Sequence, residues 1–308
     1  SKALAIQADT PDLRADAEFT VLGHLLAAAS LHRLQDRPRR DELMGRLTKL
    51  LRKGGIGRSA DDGARLLAAE WAVEDRDAPR ALDLLAELPP GVARRTQALR
   101  LKLQASRMAR QPLEALHTAR LLANHQAFSP AAAQGLLRSL AFETLEAAHD
   151  VQQLRRLWEQ FDTADRRDPH VAARAAQRAV ALDATDDARQ WLRPFWDRLA
   201  ELGRDEREQV ALALMDAHGG MPTDWLPRLE NALAAFGHEP AIAAAVGTAF
   251  AERQLWGKAR RLLEQAGASP ALPSRTRRSA WRLLAQLARE EGDEDRARTC
   301  ERAAAALD

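Results

Sequence analysis

Tyrosine is absent from the chain, cysteine occurs once, at Cys300, and aromatic residues make up only 5% of it, which leaves most core packing to alanine and leucine. A lone thiol excludes an intramolecular disulfide framework and any CxxC metal or redox motif. β-Branched residues are sparse, and no segment alternates with period two long enough to argue a strand. No apolar run reaches the 18 residues that a membrane-crossing helix needs. Charge is close to balance, +2 from 46 basic and 44 acidic residues, which argues against a dedicated nucleic-acid binder. Catalytic motifs are missing too: there is no GxSxG and no HExxH. Gly54, Gly55 and Gly57 suggest a phosphate loop only superficially, because no Gly-Lys-Ser/Thr follows and no strand precedes, so they read as a linker. The pairs His24 and His32, and His117 and His125, stand eight residues apart. That is about 12 Å along a helix, too far for two ligands on one metal ion.

What remains is a helix-forming sequence rich in alanine, leucine and arginine, and it is periodic. Aligning the residue that follows each short turn, alanine in five cases, gives eight anchors: Arg40, Ala81, Ala115, Leu154, Ala188, Trp225, Ala259 and Ala297. Three of the seven gaps are 34 residues and the others are 37 to 41. That spacing predicts a tetratricopeptide-like array, whose helix–turn–helix units each bury an apolar stripe against their neighbours. The expected fold is all-α, a right-handed superhelical solenoid of about eight helix pairs, with residues 1–15 as a lead-in and 16–308 as a single array.

The clearest unit runs from about Pro240 to Pro273. Gly247 and Ala259 are small there, as a close approach of two helices requires, and Pro270 and Pro273 end the second helix. Pro194 and Pro227 fall inside expected second helices and predict a kink or an early end. The acidic pairs Asp61-Asp62 and Asp186-Asp187 precede helical stretches and suit the positive end of the helix dipole. Trp158, Trp256 and Trp281 fall where helices pack, and Trp191, Phe195 and Trp196 cluster beside Pro194. Trp225, just past a glycine-rich turn, is the tryptophan expected to line an open surface. Cys300 is expected as an apolar filler of the last helix. Between Arg33 and Arg58 nine basic residues face three acids, either a solvated surface or a face for anionic lipid or an acidic partner.

The stretch Gln254-Leu255-Trp256-Gly257-Lys258-Ala259-Arg260 resembles a block near the end of the HemY family, bacterial inner-membrane tetratricopeptide proteins associated with haem biosynthesis. Leu66-Leu67-Ala68-Ala69-Glu70, Arg94 to Leu101, Leu154-Arg155-Arg156-Leu157-Trp158 and Trp191-Leu192-Arg193-Pro194 are similar to it as well, so the resemblance covers about residues 20–300. Members begin with two membrane-spanning helices, which this chain lacks, and Ser1 is not an initiator methionine. The resemblance therefore implies a soluble stretch of a protein anchored by an N-terminal segment, held at the bacterial inner membrane on the cytoplasmic face. It implies no catalytic residues and no resident cofactor. The flavin-binding fingerprint of the similarly named protoporphyrinogen oxidase is absent.

Projecting the register puts Leu66, Glu70, Glu74, Arg100, Gln104, Arg107, Glu143, Glu146, Gln177, Arg282, Gln286 and Arg289 on the inner surface, which the first helix of each pair should line. Three functions fit these features. One is a non-catalytic scaffold gathering late haem-pathway enzymes. Another is a haem or porphyrin carrier, with arginines on the propionates and His218 or His32 as an axial ligand. The last is a generic peptide-binding adaptor.

Overall fold

In a computed structural model that describes residues 17–53 and 58–307, the chain is all-helical, with no strand among the described residues. The glycine linker at 54–57 and the lead-in lie outside the described residues. The helices cluster into two compact units, Ser1–Leu140 and Ala141–Asp308.

The first unit holds α1 (Ala17–Arg33), α2 (Arg37–Lys53), α3 (Arg58–Glu74), α4 (Ala78–Ala86), the single turn α5 (Pro90–Ala93), α6 (Thr96–Met108) and α7 (Pro112–Asn124), and α8 (Pro130–Glu146) begins there. Neighbours pack in pairs: α1 with α2, α3 with α4, α6 with α7. Val21, Ala28, Met44, Leu47, Ala64 and Trp71 form the core shared by the first three helices. Leu66, expected to face inward, is buried instead with Ala69, Leu85 and Ala98.

The second unit holds α9 (Val151–Gln160), α10 (Thr163–Arg166), α11 (Pro169–Ala181), α12 (Thr185–Trp196), α13 (Arg204–Asp216), α14 (Leu226–Phe236), α15 (Pro240–Glu252), α16 (Trp256–Ala268), α17 (Ser274–Glu290) and α18 (Glu294–Ala305). Here α11 pairs with α12, α15 with α16 and α17 with α18, while α11, α13, α15 and α17 pack successively side by side. Residues 241 to 251 of α15 are buried without exception. Only small side chains and two larger ones, Ile242 and Phe250, allow a helix to be enclosed so completely. At Gly247 an added Cβ would lie 2.9 Å from the Cβ of Leu262, which accounts for a glycine in mid-helix despite its entropic cost.

The repeat register is visible in the backbone. All eight anchors are buried, none more than 4% exposed. Seven of them are the fourth residue of a second helix: α2, α4, α7, α9, α12, α16 and α18. Five positions before seven of the eight stands a residue with positive φ: Gln35, Arg76, Arg110, Asp183, Gly220, Gln254 or Gly292. These are left-handed residues closing the first helix of each pair. At Gly292 the amide donates to the Arg289 carbonyl at 3.0 Å and the next amide, of Asp293, to Ala288 at 2.8 Å, the two bonds of a Schellman motif. Second helices then start on an aspartate cap: the side chains of Asp77, Asp150 and Asp293 accept from the backbone amides of Arg80, Gln153 and Arg296. The pairs Asp61-Asp62 and Asp186-Asp187 do not cap. Asp61, Asp186 and Asp187 lie in a first helical turn, and Asp186 and Asp187 pair with Arg189 and Arg155.

Two expectations change. Pro227 causes neither kink nor early end: it is the second residue of α14, where its missing amide costs nothing. A 3₁₀ turn, Thr223–Trp225, displaces that helix start and puts Trp225 in the core at 4% exposure, edge-on to Trp196 at 6.4 Å. Trp225 therefore lines no open surface. Pro194 lies inside α12, which continues to Trp196 and is as long as α18. Cys300 is buried in α18, where burial pushes its thiol up.

Candidate functional site

Side by side, α11, α13, α15 and α17 contribute to the lining of a cleft of about 640 Å³. Its lining is a consequence of helical periodicity. Arg275, Ser279, Arg282 and Gln286 recur at i, i+4, i+7 and i+11 along α17, and Arg174, Gln177 and Arg178 share a face of α11. Asp216 ends α13, His218 follows it, and Thr248 comes from the enclosed α15. Apolar lining is limited to Val180, Ala181, Met215 and Leu283.

Four arginines face two carboxylates in this cleft. Arg174 pairs with Glu146 at 2.8 Å. Arg275 stands 3.9 Å from Asp216, and burial pushes the Asp216 carboxyl above its ordinary range despite Arg275 and His218 nearby. The Nε and Nη2 of Arg178 donate to the carbonyl of Ala148, so its charge meets no acid there. Arg282 is exposed on the rim. The Nδ1 of His218 lies 2.8 Å from the Met215 carbonyl, which can only accept, so the Nδ1–H donates.

Thr248 is the odd member. It is 3% exposed, and its Oγ1 has no hydrogen-bond partner. Several helical hydroxyls fold back onto the carbonyl four residues earlier, Thr48 onto Met44, Thr118 onto Glu114, Ser279 onto Arg275, while Ser106 of α6 is buried and unpartnered like Thr248. Thr248 does not fold back, which leaves an unpartnered donor buried just beneath the surface of a charged cleft.

Of the residues expected on the inner surface, Glu146, Gln177, His218, Arg282 and Gln286 come together in this cleft. Arg289 stays outside it and forms an ion pair with Glu301 of α18. Glu143 is exposed on α8. Glu70 and Glu74 on α3, with Arg100, Gln104 and Arg107 on the adjoining α6, belong to the first unit. There Arg100, Gln104 and Arg107 are exposed on one stripe. Glu74 is engaged by His32, whose Nε2 lies 2.5 Å from the carboxylate. Arg40 donates to the other ring nitrogen at 2.8 Å, and the ring stacks on Trp71 at 5.0 Å. An Nδ1 that accepts from arginine must be unprotonated, so the Nε2–H donates to Glu74 and His32 has no nitrogen to spare.

Thr248, Arg174, Arg178, Asp216 and Arg275 were not expected in the site. A stripe through Arg275 and Arg282 was legible as a period, and a single threonine in an alanine helix is a weak signal. Four of the nine basic residues between Arg33 and Arg58 are paired: Arg37 and Arg40 with Asp75, Arg39 with Asp36, and Arg46 with Glu42. No protein-family model matches the chain, and no curated protein matches it either. Lys258 of the distinctive block pairs with Glu230 at 2.9 Å and Arg260 pairs with Glu291, contacts that tie neighbouring helices together. Among the described residues no group of histidine, cysteine and carboxylate side chains is placed to hold a metal ion. No helix among them is long and apolar enough to cross a membrane.

Proposed function

We propose that the chain is a non-catalytic scaffold, a tetratricopeptide-like right-handed solenoid that holds other proteins on the surface of its first helices. The cleft carries this reading. Polar and charged side chains from successive first helices converge there with apolar surface in about equal share, the mixed makeup of a protein-docking surface rather than of a mostly apolar small-molecule pocket. The resemblance to the HemY family supplies the identity of the partners, late haem-biosynthesis enzymes, and an N-terminal membrane tether outside this chain. Affinity co-purification of the whole chain from bacterial membranes, with the partners identified by mass spectrometry, tests it. Haem-pathway enzymes should be retained by the parent chain and lost with Arg282→Glu. Retention that neither Arg282→Glu nor the pair Arg100→Glu and Arg107→Glu reduces would overturn the reading.

His218 favours a second reading, a haem or porphyrin carrier. Its Nδ1 is fixed by the Met215 carbonyl, the arrangement that orients a ligating imidazole, and arginines for propionates surround it. A haemin titration decides: saturation near one equivalent, lost in His218→Ala and kept in His32→Ala, supports the carrier. A linear signal blind to both substitutions removes it.

A further inference from the structure

The scaffold reading leaves open what part of a partner enters the cleft. We propose that it takes an acidic, extended segment of the partner, with carboxylates on Arg282 and Arg178 and, once the Thr248 side chain turns its buried hydroxyl into the cleft, a carboxylate oxygen on that hydroxyl. This rests on the scaffold reading for the nature of the partner, and on three independent features of the cleft for its chemistry.

Charge comes first. Glu146 compensates Arg174, and Asp216 lies nearest Arg275, while Arg178 is turned to a backbone carbonyl and Arg282 is exposed on the rim. Two guanidinium charges are thus left for a ligand, and guanidinium forks match carboxylates in geometry. The second feature is Thr248. A carboxylate only accepts hydrogen bonds, and the unpartnered, buried hydroxyl supplies a donor just beneath the cleft surface. The third is the lining. Gln177, Ser279 and Gln286 add amide and hydroxyl groups able to bond peptide backbone, and the four apolar residues supply contact surface between those polar groups.

Fluorescence anisotropy with a labelled hexaglutamate peptide tests this on the whole chain, with a hexalysine peptide as control and citrate as unlabelled competitor. Hexaglutamate should bind saturably and weaken with rising salt, and hexalysine should not bind. Arg282→Gln should weaken hexaglutamate about tenfold, the effect of one charge-assisted hydrogen bond. Thr248→Val should weaken it by several-fold while leaving the melting temperature equal or higher, since an unpaired buried hydroxyl is removed. A merely structural threonine would lower both. Hexaglutamate binding that is blind to both substitutions overturns the proposal, and so does citrate displacing the peptide at equal or lower concentration, which would make the site one for a small polycarboxylate. The two readings fail separately. Enzymes that co-purify without any hexaglutamate binding sink the acidic-segment inference alone. Hexaglutamate binding that depends on Arg282 and Thr248, with no enzyme retained, supports the cleft chemistry and sinks the identity of the partners.

Discussion

Replacing Gly292 by alanine and Gln254 by glycine should move stability in opposite directions, although the two residues occupy the same place in successive repeats. Both close a first helix with positive φ, 79° and 57°. Both turns carry the same two bonds, from Gln254 to Ala251 and Leu255 to Phe250 in one, from Gly292 to Arg289 and Asp293 to Ala288 in the other. A left-handed backbone costs an L-residue about 1–2 kcal/mol, while a glycine costs about 0.5–1 kcal/mol more entropy on folding. A Cβ added at Gly292 would meet nothing within 4 Å, so packing neither adds to nor hides the backbone effect. Gly292→Ala should then lose about 1 kcal/mol and Gln254→Gly gain about 0.5–1 kcal/mol. For a unit of this size that is roughly 2–4 °C down and 1–3 °C up in melting temperature. Thermal unfolding followed by far-ultraviolet circular dichroism measures both. Shifts of the same sign, or an unchanged Gly292→Ala, would refute the assignment of these turns.

Three further outcomes are expected. Gly247→Ala should cost about 1–3 kcal/mol by overpacking, because its methyl group would press on Leu262 and Leu263; urea unfolding checks it. Arg40→Met should cost about 3 kcal/mol, because buried Arg40 joins Asp75, Asp41 and His32. Adding Asp75→Asn should restore part of that in the same urea assay. Asp216→Asn should stabilise the chain at neutral pH. Its carboxyl is raised by burial, so the stability it contributes is complete below its unfolded value of about 3.8 and is lost as pH rises through the folded value. The gain from asparagine in melting temperature should be largest at pH 7 and vanish as pH falls towards 3.8.

The all-α class, the pairing of neighbouring helices and the repeat anchors were legible because they depend on local spacing. A buried small residue four positions into a second helix recurs whatever surrounds it, and Ala81, Ala115, Ala188, Ala259 and Ala297 are all buried as expected. Trp225 and Pro227 escaped because the turn before them folds into a 3₁₀ segment, which spacing alone does not reveal. About a third of the cleft lining was legible. Gln177, Arg282 and Gln286 follow from helical period, but Thr248 reads in sequence as one more buried residue of an apolar helix. Its lack of a partner is a property of geometry. The same holds for His32, whose commitment to Glu74 and Arg40 joins residues 42 and 8 positions away.

Several ion pairs connect residues about one repeat apart: Arg155 with Asp187, Arg207 with Glu239, Arg228 with Asp197, Lys258 with Glu230, Arg296 with Glu264. Each contributes little by itself where it is exposed. Helices faced with alanine, however, present shallow ridges, and shallow ridges interlock weakly. Such surfaces can slide past one another by a turn without losing much contact. The charges act as the teeth of a ratchet on that smooth surface, since a slip of one turn would separate every pair on the moving helix at once. Alanine sets how closely the layers lie, and the arginines set where they stop.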